Sequence, residues 1–427
     1  MSQDILVLNP GSSTLKFGLY RLPEGGAAST PEAVTLLAGG MVDRMGSPEA
    51  QLQLDAPGQP TRQERIQAAS PAKAVETVLR SLNAQAREKG KGKREKNLPL
   101  TPACIGCRVV HGGARFVAPT RVTPEVLEGI RALSPLAPLH NPVAADVLAA
   151  CLRLLPDIPT VAVFDTAFHR TLPPVARTYA LPFSLCEQHQ LYRYGFHGIA
   201  HRYVSARLIA CLDKVGQESR CITCHLGNGA SVCAVRDGHS LDTSMGLTPM
   251  EGLVMGTRSG DVDPGLLLYL LRTVGLSPEV LDDLLNHQSG LLGLSGRSAD
   301  MRDLEKAAAE GDARSELALE VFAYRAAKTI GAYAVALEGL DGLAFSGGIG
   351  EHSAAMRQRI CGTLRVLGVV LNAERNRVSG PQEPVRISAD ESSVQVYVIP
   401  ANEDAQIASE VSGFLLPSPA AWERGRG

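Results

Sequence analysis

A strand, a tight turn of small polar residues and a return strand occur twice in this chain, and no other feature constrains its fold as much. The first copy is Ile5-Leu6-Val7-Leu8 running into Asn9-Pro10-Gly11-Ser12-Ser13-Thr14-Leu15-Lys16-Phe17. The second is Ile222-Thr223-Cys224-His225-Leu226-Gly227-Asn228-Gly229-Ala230-Ser231-Val232-Cys233-Ala234-Val235. Each reads as a hairpin whose turn offers backbone N–H groups and hydroxyls to an anion. Taken alone, either also fits an ordinary structural turn. Taken together, they predict two similar α/β domains facing one another, with nucleotide held in the cleft.

A chain of 427 residues is long enough for two such domains, each with its own core. Its formal net charge of -2 removes any general electrostatic case for nucleic acid or an anionic membrane as partner. No apolar run reaches the length of a bilayer span, and the N-terminus lacks the basic and apolar regions of a secretory signal. The nine cysteines form an odd set, scattered except for Cys104-x-x-Cys107 and Cys221-x-x-Cys224. Both pairs fall in strand-like stretches and read as core cysteines. A four-thiolate zinc site or a redox role is the competing reading. Together these features fit a reducing, cytoplasmic setting.

Several apolar runs end in polar or Gly-rich groups: residues 5–8 before Asn9, 105–110 before His111-Gly112-Gly113, and 160–164 before Asp165. The same holds for 343–345 before Ser346-Gly347-Gly348 and for 394–399 before Pro400-Ala401-Asn402-Glu403. Strand carboxyl ends are where open α/β sheets place ligands, so a mixed α/β enzyme is expected. Helices are predicted over 141–151, with Asn141 as cap and Pro142 at the first position, around Val75, Val78, Leu79 and Leu82, and over 313–337. The charged insert 87–96 reads as a solvated surface loop and 417–427 as a disordered tail. No Gly-x-x-x-x-Gly-Lys-Ser/Thr phosphate loop is present. Instead Lys16, on the first return strand, is placed to meet a phosphate as a point charge.

Beyond the two hairpins, the chain carries Arg108-Val109-Val110-His111-Gly112-Gly113, Phe164-Asp165-Thr166-Ala167-Phe168-His169 and Tyr194-Gly195-Phe196-His197-Gly198. It continues with Gly256-Thr257-Arg258-Ser259-Gly260-Asp261, Ser346-Gly347-Gly348-Ile349-Gly350-Glu351 and Asn402-Glu403. In that order, over nearly the whole chain, these motifs resemble the acetate kinases, a short-chain carboxylate kinase family within the sugar kinase, Hsp70 and actin superfamily.

The resemblance implies two ribonuclease H-like (actin-like ATPase) domains with mixed central sheets and an interdomain active-site cleft. An acceptor-side domain would span 1–165 plus 405–427, and a nucleotide-side, dimerising domain 166–404. It implies transfer of the ATP γ-phosphoryl group to acetate, giving acetyl phosphate and ADP. A carboxylic acid with a pKa of ~4 is already ionised at neutral pH, so the site must manage charge rather than supply a base.

By resemblance, Arg108 would hold the substrate carboxylate, and Arg258 and His197 would act on the transferring phosphoryl group, with His140 nearby. Asp165 would position a catalytic Arg or His, or organise metal-bound water. Asn9 and Glu403 would place Mg2+, with Mn2+ as an alternative, partly through water. ATP or ADP would lie against Lys16, His225, Leu226, Gly227, Asn228 and Gly229. It would also meet Asp300, Met301, Arg302, Gly347, Gly348, Ile349, Gly350 and Glu351. Val110, Leu139 and Pro249 would enclose the methyl group, with Val110 favouring acetate over propionate. His169, His201 and His225 would be structural or supporting residues.

Cys107, where the family generally has His, His352, where Asn is common, and the Lys-rich insert depart from the family pattern. Two readings compete: propionate kinase, and a non-catalytic ATP-driven clamp of the Hsp70 type, which expects a substrate-binding module after the nucleotide core.

Overall fold

The computed structural model describes residues 4–23, 28, 30–89 and 101–415. Two compact units emerge, one drawn from residues 1–167 and 402–427, the other from 168–401. The return into the first unit thus comes at 402, three residues before the expected 405, because helix Glu403–Ser412 packs on its sheet. Gly106 shows how closely: a Cβ there would lie 2.7 Å from Ile407 Cγ2 and 3.1 Å from Val411 Cγ1.

The first unit contains strands β1 (Asp4–Pro10), β2 (Leu15–Arg21), β3 (Thr35–Asp43), β4 (Gln51–Asp55), β5 (Arg62–Arg65), β6 (Cys104–Val109), β7 (Thr120–Arg121) and β8 (Thr160–Phe164). Their order across the sheet is β5-β4-β3-β2-β1-β6-β8-β7. The second unit contains β9 (Arg220–Leu226), β10 (Ala230–Arg236), β11 (His239–Thr243), β12 (Gly342–Ser346), β13 (Val385–Arg386) and β14 (Gln395–Val398), ordered β11-β10-β9-β12-β14-β13.

Both sheets carry the same wiring. In each, a hairpin strand pairs antiparallel with its successor, which pairs antiparallel with a third strand. Two further strands then add parallel on the other side of the first, β6 and β8 in one unit, β12 and β14 in the other. Parallel addition needs a crossover, which helices Pro71–Lys89, Asn141–Leu154 and Ala313–Ala336 supply. Covered on both faces, the central strands become continuous apolar runs: Thr160–Phe164 is buried throughout.

In the first unit Leu6, Leu8, Phe17, Val75, Val78, Ile105, Val147, Leu148 and Phe164 share one core. Each large side chain buried there stabilises the fold by about 1.5–3 kcal/mol.

Two local expectations change. Helix Asn141–Leu154 begins after His140, not after Asn141. The Asn141 side chain is instead buried and exchanges two 3.0 Å hydrogen bonds with the backbone of His111, so it ties the helix to the loop after β6. Residues 87–89 continue helix Pro71–Lys89 rather than opening a loop. The rest of the charged insert, 90–96, and the tail 417–427 lie outside the described residues.

Candidate active site

In the first unit, Asn9, Arg108 and Asp165 lie at the carboxyl ends of β1, β6 and β8, which run parallel and adjacent. Asp165 is buried and grips Arg108 with two bonds: Nε donates to Oδ1 at 3.0 Å and Nη2 to Oδ2 at 2.6 Å. Arg108 Nη1 donates to Asn9 Oδ1 at 3.2 Å. Burial works against the guanidinium charge, but Asp165, Glu403 and Asp404 outweigh it and raise its pKa.

With the Nε–Nη2 side of its fork engaged, Arg108 has the Nη1–Nη2 edge to offer an incoming carboxylate. Asp165 therefore fixes the orientation of the guanidinium.

The Asn9 amide links that pair to two carboxylates, donating through Nδ2 to Glu403 Oε2 and to Asp404 Oδ1, each at 3.1 Å. Both acids occupy the first turn of helix Glu403–Ser412, capped by Asn402 Oδ1 accepting from Ala405 N at 3.0 Å. The positive end of a helix favours negative charge there. Burial raises the Asp404 pKa, Asn9 opposes that shift, and neighbouring Glu403 adds to it.

Two hard oxygen donors side by side fit Mg2+, which binds through one or two carboxylates and retains water. Asn9 uses its oxygen for Arg108 and its nitrogen for the acids, so it orients the carboxylates. Among the described residues no group of three or more His, Cys, Asp or Glu forms a full ligand cage.

Lys16, opposite Asn9 in the β1–β2 register, acts electrostatically on Asp404. It belongs to this unit, whereas the other residues expected at nucleotide belong to the second. Val110 follows β6 and is buried, Leu139 is 41% exposed, and the His140 carbonyl accepts from Ala144 N at 3.0 Å.

The second unit assembles a different set. His197 adopts φ 55°, a left-handed conformation uncommon outside glycine, at the start of helix Gly198–Cys211. Its Nδ1 lies 2.9 Å from Ser231 Oγ, and its ring centroid is 4.8 Å from that of His225. Across the turn between β9 and β10, a Cβ on Gly229 would lie 3.4 Å from His197 Nε2 and 3.8 Å from Arg258 Nη1. The bare glycine therefore leaves a gap that a histidine and an arginine both face.

Arg258 donates to Pro249 O at 3.3 Å and lies 3.9 Å from Met255 Sδ. No carboxylate among the described residues balances its charge, and burial lowers its pKa. A desolvated arginine with no counter-ion is a site for an anion.

A cavity of about 700 Å3 opens beside this turn, lined by Gly227, Asn228, Asp300, Met301, Arg302, Gly348, Ile349, His352 and Ser379, among others. Its size suits a nucleotide. Gly347 (φ 73°) could carry no side chain, since a Cβ would lie 2.7 Å from Leu226 O. Glu351 Oε1 holds this corner by accepting from Gly347 N at 2.9 Å and Ala401 N at 3.0 Å. Arg357, fully buried, braces it further by donating to the carbonyls of Gly350, Glu351, Asn376 and Val378. Asp300 and Arg302 are ion-paired to each other at its rim.

Several contributors escaped the sequence reading. Asp404 was one, its only signal being adjacency to Glu403 behind a capping Asn402. Glu251 was another: it accepts from Tyr179 and Arg193, while Arg193 also donates to the carbonyls of Thr243, Ser244 and Met245. That clasp braces the segment leading to Pro249 and Arg258. His352, noted only as a departure, lines the cavity.

All nine cysteines are free, and burial pushes the Cys104 and Cys221 thiols up to about 12. Such thiols are poor metal ligands and nucleophiles.

Residues 4–409 match the Acetokinase family. An acetate kinase of Dictyoglomus turgidum is 42% identical over 406 residues, covering 95% of this chain and 96% of the relative. Porphyromonas gingivalis acetate kinase, as a crystal structure, is 39% identical with a TM-score of 0.83, covering 97% of this chain and 100% of that one. A propionate kinase from Francisella tularensis is 37% identical with a TM-score of 0.84, covering 96% and 99%.

Proposed function

The chain belongs to the acetokinase family, and on that premise we infer that it catalyses reversible transfer of the ATP γ-phosphoryl group to acetate, giving acetyl phosphate and ADP. One observation carries the chemistry: Arg258, a half-buried cation without a carboxylate partner among the described residues, and the Nε2 edge of His197 both face Gly229, beside the nucleotide-sized cavity.

In this reading an acetate oxygen attacks the γ-phosphorus, and the bond from that phosphorus to the oxygen bridging to ADP breaks. Acetate arrives ionised, so no base takes a proton. Arg108, held by Asp165 and Asn9, receives the carboxylate on its remaining edge, with buried Val110 bounding the methyl side. Arg258 and His197 donate to the equatorial phosphoryl oxygens as charge develops, in a site where fixed donors need no reorganisation. Glu403 and Asp404 would hold Mg2+, which would supply further neutralisation of phosphate charge. ATP lies along Gly227, Asn228, Asp300, Met301, Arg302, Gly348 and Ile349.

Propionate is the alternative acceptor, supported by the likeness to the Francisella propionate kinase. Incubation with ATP, Mg2+ and a panel of carboxylates, with hydroxylamine trapping acyl phosphate, decides between them. Acetohydroxamate should dominate, and the absence of any carboxylate-dependent product overturns the assignment.

The second unit is also read as dimerising. Leu266, Leu268, Tyr269 and Val274 are each more than 40% exposed along one stretch, an apolar surface that a second copy would cover. Light scattering at twice the chain mass is expected. No helix among the described residues is long and apolar enough to cross a membrane, and a cytoplasmic location is proposed.

A further inference from the structure

Behind His197 lies a chain of three buried groups, Ser231, His201 and Thr223, whose own hydrogens have only one fully satisfied arrangement. His197 Nδ1 is 2.9 Å from Ser231 Oγ, Ser231 Oγ is 2.7 Å from His201 Nε2, and His201 Nδ1 is 2.7 Å from Thr223 Oγ1. Ser231, His201 and Thr223 have no solvent exposure. Burial, reinforced by His169 and His225, drives the His201 pKa well below its ordinary value, so its ring is neutral and carries one N–H.

Each hydroxyl likewise has one hydrogen to give. If Thr223 donates to His201 Nδ1, then His201 Nε2–H donates to Ser231 Oγ, and Ser231 donates to His197 Nδ1. The hydrogens of Thr223, His201 and Ser231 then each have an acceptor. Run the other way, the chain ends on Thr223 Oγ1 as acceptor, and its hydrogen faces no second acceptor among the described residues. A buried hydroxyl left so is costly, which decides the direction.

We propose that Thr223, His201 and Ser231 form a tautomer-setting relay: it fixes His197 with a bare Nδ1 and its proton on Nε2. That nitrogen is the one facing Gly229 and Arg258. Ser231 is thus a positioning residue, and His197 meets the phosphoryl group as a donor. The inference deepens the phosphoryl-transfer reading and, for its catalytic consequence, rests on it.

The test is 15N NMR of the full-length protein with 15N-labelled histidine, ten residues in all, His197 and His201 being assigned by loss of signal in H197Q and H201Q. In the unmodified protein both rings should show protonated Nε2 and a bare, hydrogen-bonded Nδ1. Nδ1 protonation of either ring would overturn the relay, and this readout needs no variant to fold beyond those used for assignment.

In Ser231→Ala the His197 Nδ1 signal should move to the unbonded range, and kcat should fall about two- to ten-fold, as losing one neutral hydrogen bond predicts. KM for ATP should stay unchanged, and Ser231→Thr should restore both readouts. An unmoved Nδ1 signal in Ser231→Ala also overturns the relay. A moved signal with an unaltered kcat upholds the relay and removes His197 from the transfer step instead.

Discussion

Asp165 holds Arg108 through the side of the guanidinium fork, at 3.0 and 2.6 Å, and leaves the opposite edge for a ligand. This buried carboxylate is therefore proposed to shape a cation and to take no part in proton transfer.

Asp165→Asn should accordingly lower kcat/KM for acetate by roughly 10²–10³ and destabilise the protein by about 3 kcal/mol, the scale of breaking a buried pair. Steady-state kinetics and thermal unfolding measure the two effects. The shape of the pH–rate profile should be unchanged. Recovery of activity on adding small exogenous bases would mark Asp165 as a base instead.

Arg258→Ala should lower kcat by about 10²–10³, the worth of a preorganised donor to developing charge. KM for ATP should change by less than about three-fold, because the contact matters chiefly in the transition state. A matched rise in KM with kcat intact would assign Arg258 to ground-state binding.

Val110→Ala should move the acetate-to-propionate ratio of kcat/KM about ten-fold toward propionate, since one methylene is worth ~1–3 kcal/mol in a hydrophobic pocket. Competition between the two acids, read as their hydroxamates, gives the ratio directly. An unmoved ratio would place the methyl group elsewhere.

Acid should weaken the fold through its buried imidazoles. Burial lowers the His169 pKa from 6.5 to about 4, while its hydrogen bond to the Phe196 carbonyl pulls the other way. The unfolded chain thus takes up this proton first, so stability is full above pH 6.5 and declines as pH falls toward 4. The loss from this residue is about 3 kcal/mol by linkage. Urea unfolding between pH 7.5 and 4.5 should show the slope, and His169→Gln should make it shallower.

Much of this was legible in the sequence. Apolar runs ending before Asn9, His111 and Asp165 are strands whose burial on both faces demands such runs, and the two Gly/Ser/Asn turns announced matching hairpins. The rest depended on partners far away in the chain. Asn141 looked like a cap because the backbone it binds, at His111, is thirty residues distant. Asp404 resembles any solvated acid in a first helical turn until Asn9 is seen beside it. Thr223 and Ser231 become neighbours only through the β9–β10 register, which pairs Thr223 with Cys233 and Ser231 with His225. Strand alternation shows both as inward residues but not that one histidine lies between them.

The first unit is discontinuous, and its acidic pair comes from the far end of the chain: Asn9 meets Glu403 across 394 residues of sequence. During synthesis the strand bearing Asn9 therefore emerges long before the helix that completes its site, and the whole second unit can form in between. A chain halted short of that helix would keep Arg108 and Asp165 but lack Glu403 and Asp404, the carboxylates proposed for the metal, and the helix that covers Gly106. Competence for transfer would thus arrive in one step with the closing helix, which leaves prematurely ended chains inert rather than partly active.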